Sequence, residues 1–142
     1  MSDSANFPSS SLEMIYTNYR GETARRRIVP TGQLRFGTSE WHRTPGWLLE
    51  ARDLEKDALR EFALDDCDFT CGETTAADVP PSPSMSKLGL AYLDESGLKG
   101  FMVIIPTGRV VRDEQGRWTL DVVDAEDGED GSLELGRCRF KR

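Results

Sequence analysis

The chain reads as a mainly β protein, and three observations carry that reading. Its apolar residues come in short runs, many of them alternating with polar residues, which is the pattern of half-buried strands. The runs are broken by Gly, Pro, Asp and Asn, each a turn former for its own steric reason. Only one stretch, residues 53–65, has apolar spacing that would suit a helix.

Taken in order, residues 1–11 are Ser-rich with little to bury and read as a flexible tail. A first unit, residues 12–72, follows. Residues 12–19 place Met14 and Tyr16 on one strand face and Glu13 and Thr17 on the other. Arg20-Gly21-Glu22 reads as a turn. Residues 24–29 form a second strand that Pro30 would end or bulge, because proline cannot donate to a ladder. Residues 47–51 form a third, with Trp47, Leu49 and Ala51 on one face. Residues 53–65 allow two readings. As a helix, Asp53 is the N-cap and Leu54, Ala58 and Phe62 fall at i, i+4 and i+8, and local propensity favours this. As a hairpin, the chain turns at Glu55-Lys56-Asp57, and Ala58, Phe62 and Leu64 share a face.

Residues 73–86, ETTAADVPPSPSMS, contain three prolines and read as a linker. The second unit, residues 87–142, offers up to five strands, at 88–93, 100–105, 109–112, 118–123 and 133–140. Trp118, Leu120 and Val122 alternate with Thr119, Asp121 and Val123, and residues 113–117 make a hairpin turn. No internal repeat between the two units stands out.

Composition excludes several classes of function. The 142 residues carry 25 acidic and 18 basic side chains, a formal net charge of −7. That argues against a protein whose whole surface coats nucleic acid, since phosphate contacts need clustered Lys and Arg. The most apolar run, residues 101–106, is far short of the ~18–20 residues of a membrane span, and no basic segment precedes an apolar one as in a secretory signal. Three cysteines, Cys67, Cys71 and Cys138, do not suggest a disulfide framework. Reduced thiols imply a cytoplasmic protein without membrane contact. Those cysteines with His42 are the only candidate zinc set, but the spacing is loose and no second C-x-x-C exists, so neither metal nor cofactor is expected. His42 is the sole histidine and no nucleophile is paired with it by motif. The acidic run at residues 124–131 lacks calcium-loop spacing and reads as a solvated turn. No phosphate-binding glycine loop or serine elbow appears, so catalysis is not expected.

Four blocks in the first unit resemble a WYL domain: I-Y-T-N-Y-R-G-E from Ile15 to Glu22, R-R-R-I-V-P from Arg25 to Pro30, G-W-L-L-E-A-R-D from Gly46 to Asp53, and L-R-E-F-A-L-D-D-C from Leu59 to Cys67. The resemblance covers somewhat more than a third of the chain. It implies an Sm/SH3-like small β-barrel in which residues 53–64 are a hairpin, and so reverses the helix preference. The second unit would complete that barrel or form a small β unit of its own. Each unit is short for a lone core, so packing of one on the other, or a homodimer, would supply the missing burial. WYL domains are regulatory modules of bacterial transcription factors, and also occur in phage and defence proteins. The resemblance therefore implies a non-enzymatic sensor of nucleotide-like or nucleic-acid ligands. Arg27 falls where the family places a basic pocket residue, Arg60 matches the first Arg of its R-x-F-R-L block, and Trp47 and Leu49 match the outer letters of W-Y-L. The departures are Leu48 for the central Tyr, Ala63 for the second Arg of that block, and Asp66 for the Arg of the D-R-I ending.

The residues themselves point the same way. Between Leu12 and Arg52 stand seven Arg against four Glu and no Lys, a local excess of positive charge in an acidic chain. Arg forks bind phosphate bidentately and stack on rings, and Tyr16, Tyr19, Trp41 and Trp47 lie nearby in sequence. Arg with aromatics is the chemistry that a nucleotide or single-stranded nucleic acid requires. The expected ligand-binding set is Tyr16, Arg25, Arg26, Arg27, Trp41, Trp47 and Arg60. The competing reading is a protein–protein adaptor or inhibitor, favoured by the acidic second unit and the lost pocket residues.

Overall fold

A computed structural model describes residues 10–141; the first nine residues of the expected tail lie outside the described residues. The molecule is mainly β. Ten strands form one antiparallel sheet: β1 (Leu12–Thr17), β2 (Thr23–Gly37), β3 (Gly46–Asp53), β4 (Ala58–Ala63), β5 (Cys67–Asp68), β6 (Leu88–Leu93), β7 (Lys99–Arg112), β8 (Trp118–Asp124), β9 (Asp130–Glu134) and β10 (Cys138–Lys141). The spatial order is β4-β3-β2-β1-β5-β10-β6-β7-β8-β9, with a further pairing of β2 to β7. No helix among the described residues is long and apolar enough to cross a membrane.

The order is a palindrome of two equivalent halves. Each half runs through four strands, a 3-10 turn (Leu64–Asp66, then Leu135–Arg137) and a short fifth strand. Short motifs recur at matching places. Pro30-Thr31-Gly32 returns as Pro106-Thr107-Gly108, and Leu64-x-x-Cys67-x-Phe69 as Leu135-x-x-Cys138-x-Phe140. The sequence reading saw no repeat, and the structure corrects it. Most matched positions keep only polarity, and the segment between β2 and β3 is longer than its counterpart between β7 and β8, which breaks the alignment.

The shared motifs mark positions where geometry is strict. Pro30 does not end β2 but bulges it: the register slips between Pro30 and Leu34, and between Pro106 and Val110 in β7. Gly32 and Gly108 both sit at φ +98°, where a side chain would be strained, and each faces the partner strand's backbone. There the two halves join, Gln33 pairing with Arg109. They join again where Arg139 pairs with Asp68, and the Phe69 N–H donates to the Cys138 carbonyl at 2.9 Å.

Residues 53–65 form the hairpin that the family resemblance implies, not the helix favoured by propensity. The Asp53 Oδ1 that would cap a helix instead accepts the N–H groups of Glu55 and Lys56 in a turn. Asp57 takes φ +52°, a conformation Asp tolerates. Ladder bonding to β3 and burial of Phe62 against Leu49 then outweigh local helix propensity. The shared face differs in one detail: Phe62 and Leu64 are buried, but Ala58 is exposed at the strand's start.

One apolar core runs through both halves. Met14, Ile28, Leu49 and Leu64 are fully buried, as are their counterparts Leu90, Ile104, Leu120 and Leu135. The linker at residues 73–86 packs down as a strap. Val79 is buried, Ser82 Oγ accepts the Gly89 N–H, and Ser86 O accepts the Trp47 indole N–H at 3.0 Å. A Cβ at Gly89 would collide with the Pro80 carbonyl, so only glycine lets the strap lie this close.

Candidate functional site

Four of the seven expected residues meet in one place. Tyr16, Arg26, Trp41 and Arg60 line a cleft of about 450 Å³ along edge strand β4, together with Tyr19, Glu40, His42, Glu50 and Phe62. β1 contributes Tyr16, β2 contributes Arg26, and β4 contributes Arg60. The loop between β2 and β3 contributes Trp41 and His42.

Strand alternation explains which arginines arrive. Successive β2 side chains point to opposite faces, so Arg26 turns toward the cleft while Arg25 and Arg27 turn away. Those two meet Glu13 instead, at 3.1 and 3.6 Å, and Arg27 also donates to Ser11 Oγ. The other expected residue outside the cleft is Trp47. It packs edge-on against Phe36 with centroids 5.4 Å apart and is tied to the strap.

At the cleft's charged end, Arg26 and Arg60 approach one carboxylate. Their NH1 atoms lie 3.6 and 3.8 Å from Asp53 Oδ2, and Asp53 has no exposed surface. These are charge contacts longer than hydrogen bonds. Asp53 Oδ2 and Arg26 Nε are both buried without a hydrogen-bond partner, an arrangement that costs free energy. Two guanidinium groups over one carboxylate leave one positive charge uncompensated. Arg60 also lies 5.9 Å from the Phe62 ring centre.

At the aromatic end, the tight turn Ser39-Glu40-Trp41-His42 closes by reciprocal backbone bonds at 2.8 and 3.2 Å. The turn carries Trp41 out to solvent, 55% exposed and 5.4 Å from the Tyr19 ring at a 31° tilt. Side chains anchor it. The Tyr16 hydroxyl accepts the Ala63 N–H and lies 3.2 Å from His42 Nε2. His42 Nδ1 faces Ser39 Oγ at 2.8 Å. Burial, reinforced by Cys67 nearby, pushes the Tyr16 phenol above its ordinary range, so it stays a neutral donor. His42 therefore fastens the loop.

Three carboxylates also face the cleft. Arg35 holds Glu61 by a fork of two bonds, 2.6 and 2.7 Å, which pushes the Glu61 pKa down. Glu50 accepts from Thr31 Oγ1 at 3.0 Å. Glu40 has neither ion pair nor hydrogen bond among the described residues. Sequence reasoning missed Glu40, Glu50 and Tyr19 as site residues. Tyr19 beside its turn was legible as a candidate; the carboxylates gave no signal, because they read as ordinary solvated charges.

On the far side of the Trp41 loop lies a second hollow of about 750 Å³, floored by Leu48, Ala63 and Leu88 and rimmed by Pro45 and Met85. Leu48 and Ala63, two of the family departures, are buried there. No group of His, Cys, Asp or Glu among the described residues is arranged to hold a metal ion. Cys67 and Cys138 instead donate to the carbonyls of Ala63 and Glu134, at 3.3 and 3.5 Å. Comparison with protein-family models, with curated proteins and with solved structures gives no match.

Proposed function

We propose that the first half is a WYL-like binding module that recognises a nucleotide or a short single strand of nucleic acid without transforming it. The single observation behind this is the convergence of Arg26, Arg60, Tyr19 and Trp41 on one cleft. The exposed ring pair is suited to stacking a base, and the spare positive charge is suited to a phosphate. The five-strand order, with its 3-10 turn before the fifth strand, supports reading each half as an Sm/SH3-like small barrel. The −7 net charge and the three cleft carboxylates favour a small ligand over a long polyanion.

Trp41 fluorescence supplies the test. Nucleoside monophosphates and a short labelled oligonucleotide should quench it on binding. Arg60→Ala, and Trp41→Ala followed by the anisotropy of the labelled oligonucleotide, should each weaken binding about tenfold, the size of one lost stacking or charge contact. A wild-type protein that binds neither class of probe would falsify the reading.

A second reading has one observation in its favour. The larger hollow is edged by exposed Met85 and Trp41, which would suit an apolar side chain of a protein partner in an adaptor role. Met85→Glu should then abolish partner binding without changing nucleotide affinity. Affinity for the partner unchanged in that variant would remove this reading.

A further inference from the structure

We infer that the cleft is specific for a guanine nucleotide with one phosphate group, and that Glu40 reads the base. This rests on the proposed nucleotide reading and goes further by naming the base and the residue that selects it.

Arg26 and Arg60 share the one carboxylate of Asp53, so the pair retains a single positive charge for a further anion. Glu40 and Glu50 line the same cleft, and no arginine forks onto either as Arg35 does onto Glu61. A second phosphate placed along the cleft would meet these carboxylates and be repelled. Carboxylates accept hydrogen bonds and donate none, so they need a ligand edge made of donors.

Among the common bases only guanine offers two adjacent donors, N1–H and the N2 amino group, spaced for the two oxygens of one carboxylate. Adenine and cytosine place an acceptor nitrogen beside their amino group. Uracil places a carbonyl on either side of its single N–H. Each of these sets a lone pair against a carboxylate oxygen. Glu40 is the reader because it neighbours Trp41 on one turn. That turn is fixed by the Ser39 and His42 backbone bonds and by the Tyr16–His42–Ser39 contacts. One rigid element thus presents both a stacking ring and an unengaged carboxylate. Glu50, on β3 and held by Thr31 of β2, adds a further carboxylate to the cleft. On the phosphate side, Arg26 carries a buried Nε donor without a hydrogen-bond partner.

The test titrates GMP, IMP, AMP, CMP and UMP into the full chain and follows both Trp fluorescence and heat. GMP should bind at least about tenfold tighter than AMP, CMP or UMP, the range of one bidentate base contact. IMP, which lacks the N2 amine, should fall between. Glu40→Gln should bring GMP to within about threefold of AMP, by weakening GMP and by relieving the lone-pair clash with adenine, because an amide accepts at one position and donates at the other. Arg60→Ala should weaken all five alike. Equal binding of GMP and AMP, or a guanine preference that survives Glu40→Gln, overturns the inference and leaves the nucleotide reading standing. Binding of none of the five, in a protein whose thermal unfolding is intact, overturns both.

Discussion

In the first half Arg26 and Arg60 meet over Asp53; at the matching register positions the second half has Met102 and Gly131 beside Asp124. Both aspartates do the same structural work, accepting two turn N–H groups through Oδ1. Only the first is also given cations. The loop that carries Trp41 spans residues 38–45, and its counterpart is the short turn at residues 113–117. The turn is capped by Asp113, which accepts from Gln115 and Arg117. The core repeats almost position by position; of the cleft, Tyr16 recurs as Tyr92 and Glu50 as Asp121, but Arg26, Arg60, Glu40 and Trp41 do not recur. The scaffold therefore needs its apolar positions, bulges and turn caps, whereas the cleft needs one longer loop and two arginines. The two demands are separable, and each can be broken without the other.

The largest effect should come from the shared core. Leu64→Ala and Leu135→Ala remove equivalent, fully buried side chains, and each should cost about 2–5 kcal/mol. One apolar cluster spans both halves, so either variant should lower a single cooperative transition. Trp47 reports on the first half and Trp118 on the second, so urea unfolding followed by fluorescence and by circular dichroism checks it. Two separated transitions in either variant would show that the halves are independent units.

Next in size is the contact at the join. Arg139 donates to Asp68 Oδ2 at 3.3 Å and to the Thr74 carbonyl, linking β10, β5 and the strap. Asp68 keeps its bonds from Thr70 and Gly72 when that arginine is lost. Arg139→Met should therefore cost about 2 kcal/mol, the worth of a hydrogen bond to a charged group and less than a fully stranded buried charge. Limited proteolysis should cut first within residues 73–86. A strap as resistant as in the wild type would mean that Val79 and Pro80 hold it alone.

Much of the strand layout was legible in the sequence, though its repetition was not. Strands 88–93 and 118–123 match β6 and β8 almost to the residue, because β-branched runs bounded by Gly and Asp have few alternatives. The runs at 100–105 and 109–112 proved to be one strand, since the Pro106-Thr107-Gly108 bulge bends a ladder without ending it. Arg26, Arg60, Tyr16 and Trp41 were named as one site. Arg25 and Arg27 were named with them because a triple arginine does not show which member faces inward until its register with β1 is known. The carboxylates were illegible: Glu40 and Glu50 acquire a shared cleft only when β3, β4 and the loop are folded together.

A smaller effect on stability, but a total one on binding, should follow from exchanging the loop. Replacing residues 38–45 by the turn at residues 113–117 removes Trp41, Glu40 and His42 and should abolish nucleotide binding. The second half shows that the scaffold closes with the short turn, so thermal unfolding should move by only a few degrees. The Tyr16 hydroxyl would lose His42 but keep the Ala63 N–H, a loss of about 1 kcal/mol. Collapse of the fold in this chimera would tie the loop to the scaffold and break the separation argued above.

The finest distinction is alkaline. Cys67 and Cys138 occupy equivalent sites, and burial is the main reason both thiols resist ionisation. Cys138 is pushed up from its ordinary value of 9.0 to about 12, helped by Glu134. Cys67 is pushed well above 9.0, helped by Asp66, Asp65 and Asp68. A thiol that ionises near pH 9 when unfolded but much higher when folded gives its full stabilisation below pH 9. That stabilisation is lost as pH rises through the folded value. Stability should thus fall steadily from about pH 9 toward 12. Cys67→Ala and Cys138→Ala should each flatten that fall, apart from any constant cost in packing. The halves should still differ in one respect. Burial also raises the Tyr16 phenol above its ordinary 10.0 and pushes the Cys71 thiol up to about 11, so with Cys67 and Cys138 replaced a decline should persist and be reduced above pH 10 in Tyr16→Phe. Urea midpoints measured from pH 8 to 11 would show it. A slope unchanged by either cysteine replacement would mean that the two thiols are already solvated before the core opens.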